Sequence, residues 1–512
     1  MKAKNSHCMS RRIILAAVMV FFSAVSFAQQ RPYDRAAENN LWLLGDNIAG
    51  LRQDKSCNIS YAELYGGTEA GGFRATNDAP SLWHAGAEAR TIKHVDRFSM
   101  IGGFSFEQTS GRDMCGSMFI QPGFYPLDVL EFTPGRKTLQ TYAFDGGVSV
   151  DLADGWRLGA RMDFKSANYS KRKDLRHTNY RLDLKVAPGL TYTSGNLTFG
   201  LNYIFAKNSE YTDAEQIGTG ESSYYAFLDK GLMFGKYEVW TGSGVHLDED
   251  GVRGLPLREI FNGVGVQFST SDRFYIDFEY LRGAGSAGEK QIFWYRFPSD
   301  EFSLGIGENF SSGETVYRLS EKFSIRRQSN YETVLEKVTE NGVTIPVEYG
   351  QNRIFARQIT EGDIKLRVLR PGCEFFFEYL GTSTEAMASQ VYPYVTDCTL
   401  NVSRFDFGQA FHAGKWDIEL TEALGFGFRV ENGRLVDESH STVSVPYRLE
   451  DWYMKSVEYE TAFRIAGGLS VRRNFVHGIY LQAEASAVKA FGTELLDGST
   501  RGSAGLRLGW TF

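Results

Sequence analysis

Apolar residues alternate with polar or small residues along the last stretch of the chain, residues 502–512. One face carries Gly502, Ala504, Leu506, Leu508, Trp510 and Phe512, and the other carries Ser503, Gly505, Arg507, Gly509 and Thr511. A period of two is typical of a β-strand whose faces meet different surroundings. About ten residues let a tilted strand cross a bilayer. The pattern predicts a membrane-spanning strand, although an edge strand of a soluble β-sandwich would also alternate.

The same alternation recurs from Ser81 onward and is interrupted by turns. Apolar residues alternate over 142–152 and again over 156–164, on either side of a turn at Gly155. Short turns of this kind alternate with longer polar connections, as in outer-membrane barrels. We therefore predict an all-β fold, a transmembrane antiparallel β-barrel of about 16 strands within a range of about 14–20. The middle of the chain is less regular: residues 331–338 also fit a helix. A strand is expected over 457–471.

Charged residues occupy the face opposite the apolar one in the predicted strands. If the apolar face meets lipid, the charged face lines the lumen. The predicted lumen wall includes Arg157, Arg161, Asp163, Arg181, Asp183, Asp277, Glu279 and Arg507. Because both signs occur, these side chains either pair and stiffen the wall, or form a polar conduit or a docking surface for a plug.

The final strand resembles the terminal strand of outer-membrane β-barrels of Gram-negative bacteria, which ends on an aromatic residue. In this sequence Trp510 and Phe512 occupy the matching positions. The resemblance implies that they form an assembly signal read by the barrel assembly machinery. It also implies an outer-membrane location in contact with outer-membrane lipid.

The N-terminus predicts export. Cations at Lys2, Lys4, Arg11 and Arg12 precede an apolar run, Ile13 to Val25, and Ala28 ends a small-residue cleavage site. This order is that of a secretory signal peptide. We divide the chain into a signal peptide at 1–28, an N-terminal helical segment at 29–57, and an outer-membrane barrel at 58–512.

The N-terminal segment carries apolar residues at spacings of three and four from Asp34 to Arg52, which predicts a short helix. Within it, Asn47-Ile48-Ala49-Gly50-Leu51 resembles the Asn-Pro-Ala-Gly-Leu-like element of the long-chain fatty-acid transporter family, with isoleucine in place of proline. That family closes its barrel with an N-terminal hatch. The resemblance implies that Asn47, Ala49, Gly50 and Leu51 belong to a gate or plug; a periplasmic tag is the alternative.

Composition is compatible with an exported barrel. Mean hydropathy is −0.29, and 54 Gly, 38 Phe and 26 Tyr stand against 12 Pro. Such a composition suits many strands with tight turns and aromatic girdles. Without the four signal-peptide cations the chain has 51 basic and 62 acidic residues, a net charge of −11. This acidity argues against a nucleic-acid partner.

The sequence shows no catalytic motif. Its histidines are scattered, with neither a His-x-x-x-His pair nor a Gly-x-Ser-x-Gly elbow. We therefore expect a protein that is not an enzyme, with no catalytic, cofactor-binding or metal site and no cofactor. Cys57, Cys115, Cys373 and Cys398 are too far apart for a metal knuckle, but in an oxidising compartment some could form disulfides.

In its layout the whole chain resembles a family of outer-membrane β-barrel proteins of unknown function encoded beside TonB-dependent receptors and surface lipoproteins. The resemblance implies such a receptor or lipoprotein as a candidate partner. The chain is too short to be a TonB-dependent receptor itself, which needs about 22 strands and a plug domain. Two functions remain. One is a channel or transporter for a small solute, gated by the N-terminal segment. The other is a non-conducting accessory barrel that docks a partner.

Overall fold

The computed structural model describes residues 32–51, 58–215, 226–232, 237–240, 251–271, 273–288, 293–340, 343–388, 397–432 and 449–512. The predicted signal peptide at 1–28 and Cys57 lie outside these ranges. No helix within them is long and apolar enough to cross a membrane.

The described residues form twenty β-strands, which are almost the whole architecture. They are β1 (Ile59–Gly71), β2 (Ser81–Val95), β3 (Phe98–Ser117), β4 (Asp128–Ala153), β5 (Trp156–Lys171), β6 (Arg176–Ser194), β7 (Leu197–Glu215), β8 (Ala226–Asp229), β9 (Tyr237–Trp240), β10 (Gly251–Thr270), β11 (Phe274–Gly288), β12 (Phe293–Ser312), β13 (Thr315–Glu340), β14 (Val343–Arg370), β15 (Cys373–Ala388), β16 (Asp397–Ala413), β17 (Trp416–Asn432), β18 (Phe463–Asn474), β19 (Ile479–Phe491) and β20 (Thr500–Thr511). Eighteen of these strands, all except β8 and β9, form a closed ring in which each strand pairs antiparallel with its two neighbours.

Strands β1 and β20 close the ring. Leu64 lies opposite Leu508 in their register. The backbone of Phe512 donates to Ser60 O at 2.9 Å and accepts from Ser60 N at 2.8 Å. Closure leaves no unpaired edge along the wall, which is the condition for a sheet to stand in lipid.

The outer surface of the barrel is apolar. Large side chains remain exposed there, among them Phe144, Leu158, Leu201, Phe428 and Leu506. Aromatic rings pair across neighbouring strands, as Trp156 does with Tyr192 at 4.7 Å between centroids. A closed barrel with an apolar outside is the architecture of outer-membrane proteins. The predicted antiparallel barrel and its outer-membrane location are therefore confirmed.

The barrel has 18 strands and not about 16, a count that still lies within the predicted range of about 14–20. Strand β1 was not recognised because glycines at 66 and 67 and glutamates at 63 and 69 break its apolar alternation. Residues 331–338 continue β13 and are not helical. The strand expected from Val457 begins only at Phe463, because 449–461 is helix.

Short turns lie at one end of the barrel and longer connections at the other. Gly155, Gly195 and Gly414 hold positive φ angles in the short turns, which glycine adopts without a steric penalty. At the opposite end the hairpin β8–β9 pairs with β4, and the outer helix Leu449–Thr461 packs beside it. Leu130, Phe132, Phe227, Leu449 and Tyr453 form their shared apolar cluster. We call the two ends the short-turn end and the long-loop end.

The N-terminal segment is only partly helical. A helix spans Pro32–Asn39, and two 3-10 turns follow at Leu41–Leu44 and Ile48–Gly50. The predicted helical segment from Asp34 to Arg52 therefore forms as one short helix and two 3-10 turns, and Arg52 lies outside the described residues. Asn40 and Asn47 end the continuous helix, because each side chain accepts a hydrogen bond from the N–H two residues later and starts a new turn.

Candidate functional site

The N-terminal segment (residues 32–51) lies inside the barrel, near the short-turn end. Glycines in the wall provide the space for it. A Cβ atom on Gly159 of β5 would lie 2.6 Å from Ala49 N, and one on Gly307 of β12 would lie 2.6 Å from Leu44 Cδ1. Strands from both halves of the chain thus contact the segment from within.

Asn47 is the most fully integrated residue of the segment. It is buried, and its Nδ2 donates to Gln267 Oε1 at 2.8 Å and to Leu190 O at 3.4 Å. Its Oδ1 accepts from Ala49 N at 3.1 Å. One asparagine therefore shapes the 3-10 turn and joins it to β6 and β10.

Ala49, Gly50 and Leu51 are packed tightly behind Asn47. Ala49 O accepts hydrogen bonds from Ser149 Oγ at 3.1 Å and Thr191 Oγ1 at 3.3 Å. A Cβ atom at Gly50 would lie 1.9 Å from Trp42 Cδ2, so only glycine fits beneath that ring. The structure thus brings together the four residues proposed from the family resemblance, while their role as a gate stays a prediction.

Charged wall residues surround the middle of the segment. Lys185 Nζ lies 2.6 Å from Asp46 Oδ1 and 3.4 Å from Asp163 Oδ2. Arg161 Nη1 donates to Gly45 O at 3.1 Å and its Nε donates to Asp163 Oδ1 at 3.2 Å. These contacts add charge and hydrogen bonding to the apolar packing of the segment, in which Leu41 and Trp42 pack against Tyr275 and Tyr33 packs against Tyr61.

The N-terminal helix reaches the opposite part of the wall. Glu38 lies 3.1 Å from Arg367 Nε and 3.4 Å from Arg318 Nη1. Arg318 Nη2 also donates to Asn39 Oδ1 at 2.5 Å. Together with the Asn47 contacts, these ion pairs make the segment bridge the lumen from β6 and β10 to β13 and β14.

The other predicted wall residues pair mainly within the wall. Arg157 Nε donates to Asp151 Oδ1 at 2.5 Å, and Arg181 Nε donates to Asp183 Oδ2 at 3.0 Å. Arg507 Nη1 lies 2.9 Å from Glu63 Oε1. Asp277 accepts from Gln267 at 2.7 Å, and Glu279 accepts from Ser303 at 3.4 Å. Some of the charged residues therefore pair within the wall, and others contact the segment.

Sequence reasoning missed several wall residues that bind the segment. Gln267, Ser149, Thr191, Arg318 and Arg367 all hydrogen bond or ion pair with it. Their positions on inward faces of strands are the available signal, but a polar or charged residue on such a face does not identify its partner.

Two cavities remain beside the segment. The first, of about 600 Å³, lies between Leu44–Asp46 and strands β10–β15. Its ionisable lining residues are Asp46, Asp277, Glu279, Glu301, Glu361, Asp363, Lys185 and Lys322. The second, of about 530 Å³, lies beside the N-terminal helix and is lined by Glu63, Arg367, Glu419, Arg472 and Glu484, among others. We call them the chamber and the vestibule; both have more acidic than basic residues.

Cys115, Cys373 and Cys398 are free thiols, so none of these three forms a disulfide. Within the same ranges, no group of three or more His, Cys, Asp or Glu residues is placed to hold a metal ion.

The fold and its internal segment define an outer-membrane β-barrel with an occupied lumen. The chain belongs to a family of unknown function, DUF6850, whose model matches residues 48–512. No curated protein sequence matches it.

Solved structures similar to this chain are large β-barrels. The unliganded ferric citrate transporter FecA is 7% identical with a TM-score of 0.38, covering 89% of this chain and 79% of FecA. The ferric preacinetobactin receptor BauA from Acinetobacter baumannii is 7% identical with a TM-score of 0.40, covering 89% and 80%. OmpT of Vibrio cholerae is 10% identical with a TM-score of 0.33, covering 82% and 100%. At such values no functional detail carries over to this chain.

Proposed function

We propose that this outer-membrane barrel spans the membrane as a channel or transporter for a small solute, with the N-terminal segment as its gate. The observation that carries the proposal is the way the segment is held. It lies in the lumen at the short-turn end, where polar contacts such as Asn47 to Gln267 and Asp46 to Lys185 add to the packing of Leu41 and Trp42 against Tyr275. The polar groups in these contacts can exchange their protein partners for water when the segment moves.

The size of the barrel supports the same function. Barrels of about 16–18 strands enclose enough cross-section for an aqueous channel. In this lumen the segment fills part of that space and leaves the chamber and the vestibule on its two sides. A barrel needed only as an anchor would have no use for that width.

Single-channel recording in a planar bilayer tests the proposal. The full-length mature protein is compared with a variant in which residues 32–51 are replaced by a Gly/Ser linker of equal length. We expect discrete openings whose conductance is larger in the variant, because the segment no longer obstructs the lumen. Heat-modifiable gel migration shows that both barrels are folded. Absence of current from both folded forms would reject a conduit.

A non-conducting accessory barrel that docks a partner, such as a TonB-dependent receptor or surface lipoprotein, is the second candidate. The hairpin of β13 and β14 favours it. Among the described residues, pairing of β13 with β12 ends at Glu332 and pairing of β14 with β15 ends at Phe355, whereas the two strands stay paired with each other to Glu340 and Val343. The projecting ribbon exposes 79% of Tyr349. Silent bilayers together with loss of partner co-purification on trimming this ribbon would support docking.

A further inference from the structure

We infer that the barrel has a second closure at the long-loop end, formed by the connection between β3 and β4, residues 118–127. In this arrangement the chamber lies between two closures, and displacing the N-terminal segment alone does not connect the chamber to the outside. The inference extends the proposed function, on which its role in transport rests, but the closure itself is testable without any current.

The ends of this connection are fixed by apolar packing. Met118, Phe119, Tyr125 and Leu127 are almost fully buried. They belong to a cluster with wall residues of β10, β12 and β14, including Leu257, Phe297 and Phe355. The connection therefore folds into the barrel mouth and does not extend from it.

Polar contacts fix the tip of the connection to the far side of the wall. Arg357 of β14 donates to Gly123 O and to Phe124 O, both at 2.9 Å. On the near side, Glu210 of β7 accepts from Ile120 N at 2.8 Å. Because β7 and β14 lie well apart in the strand order, the connection crosses the lumen between them.

The ring of Phe124 lies between two arginines. Arg181 Cζ is 4.2 Å and Arg326 Cζ is 4.9 Å from its centroid. Arg326 also lies 5.5 Å from the ring of Phe261, which lines the chamber. The tip is thus separated from the chamber by a single layer of side chains and is placed where it would block entry from outside.

The tip differs from the ends in a way that suits a moving part. Gln121 and Pro122 are exposed and Phe124 is half-buried, whereas Phe119 and Tyr125 on either side are buried. Gly123 has a φ of 77°, so the turn depends on glycine. Release of the Arg357 bonds and of the arginine contacts with Phe124 would free residues 120–124 while the buried ends keep the connection in place.

A cysteine in the chamber reports on this closure. Ser303, a chamber residue, is replaced (Ser303→Cys) in a background whose native cysteines are serine, and a membrane-impermeant maleimide is added outside intact cells. We expect slow labelling in that background. Arg357→Ala should accelerate labelling of Ser303→Cys by about tenfold or more, which is within the usual range of coupling energies. Phe124→Ala, a milder change, should independently accelerate it to a similar degree. Arg327→Ala is the matched control, because Arg327 is an exposed arginine on β13 that bonds Gln358.

The outcomes separate the closure from the conduit. Rapid labelling of Ser303→Cys with an unmodified tip would overturn the second closure. Labelling from outside that is accelerated by removal of residues 32–51 alone would also overturn it. Unchanged labelling in both Arg357→Ala and Phe124→Ala, with normal heat-modifiable migration, would also overturn it. If labelling follows the tip but a barrel lacking both closures carries no current, the closure stands and the transport function fails.

Discussion

The side chains of Asn47 and Gln267 are joined by a buried hydrogen bond of 2.8 Å, which connects the N-terminal segment to strand β10. Gln267 in turn donates to Asn202 and Asp277, each at 2.7 Å, so the bond is part of a network inside the wall. A bond between two neutral amides leaves two partners that water can satisfy once they separate. This network therefore helps to hold the segment in its position.

Replacement of Asn47 should favour the displaced segment. Asn47→Ala removes the bonds to Gln267 and Leu190 and the cap on Ala49. Loss of buried hydrogen bonds costs about 1–3 kcal/mol, which corresponds to a shift of about 5- to 150-fold in population. We expect a higher open probability in planar bilayers.

Asn40→Ala is the matched control for Asn47→Ala. Asn40 caps Trp42 in the same manner, and no hydrogen bond among the described residues joins its side chain to the wall. Equal open probabilities for the two variants would show that the bond to Gln267 does not hold the gate.

A second variant should displace the N-terminal segment by steric overlap with the wall. A Cβ atom at Gly159 would lie 2.6 Å from Ala49 N and 2.7 Å from Ala49 Cα, too close to be tolerated without a shift. Gly159→Ala should push the 3-10 turn from the wall and raise single-channel conductance. Gly146→Ala on β4 serves as the control, because its Cβ would meet only Ile101 O, at 3.8 Å. Identical conductance in the two variants would contradict the gate.

The sequence predicts the barrel wall better than the structure inside the lumen. The reason is that the two depend on interactions over different distances along the chain. Alternation along β4, β5 and β20 reflects lipid on one side of each strand, so it can be detected within about ten residues. The interior of the lumen is set by contacts between distant parts of the chain. Arg357 and Gly123, for example, are 234 residues apart. No local sequence pattern predicts such a contact.

The N-terminal segment shows how a helical pattern can be divided into short pieces by tertiary contacts. Its apolar residues are spaced as on one helical face, but they contact different strands. Leu41 and Leu44 meet Gly307 of β12, whereas Ile48 meets Gly147 of β4 and Gly159 of β5. A single helix could not reach both sides of the lumen, so the chain bends at Asn40 and Asn47 instead.

The lumen charge predicts cation preference once the barrel is open. With residues 32–51 removed, the chamber and vestibule retain ten acidic and five basic lining residues. Acidic linings favour cations in channels. In a KCl gradient, the reversal potential should shift toward that of K⁺. Neutralisation of the chamber carboxylates in Glu361→Gln with Asp363→Asn should reduce the shift, and Lys322→Gln should increase it. An anion-directed potential would contradict the assignment of these residues to the pathway.

Acid should stabilise the hairpin at the long-loop end through Asp229. Burial raises the pKa of this carboxyl from 3.8 to about 6, although hydrogen bonds, including those from Gly231 and Leu232, oppose the shift. The folded hairpin then binds a proton more tightly than the unfolded one, so its stability should fall as pH rises from about 4 to about 6. Limited proteolysis on intact cells should be slower at the acidic end.

Asp229→Asn should flatten this pH dependence, since an amide oxygen can still accept the two backbone bonds but does not titrate in this range. Asp497→Asn, which removes an exposed carboxylate from the connection between β19 and β20, is the control. A pH profile that persists in Asp229→Asn would assign the effect to another group.

Phe512 contacts its neighbours in two separable ways. Its backbone exchanges two hydrogen bonds with Ser60, and its ring lies 4.4 Å from that of Trp510 on the outer face. Removal of Phe512 eliminates both contributions, and we expect loss of the heat-modifiable form in membranes. Phe512→Ala keeps the backbone bonds but lacks the ring. If the assembly machinery reads the ring, this variant should fail in cells yet refold in detergent, whereas Phe475→Ala, an exposed aromatic at the same end, should assemble normally. Normal assembly of Phe512→Ala would leave closure of β1 on β20 as the only role of this residue.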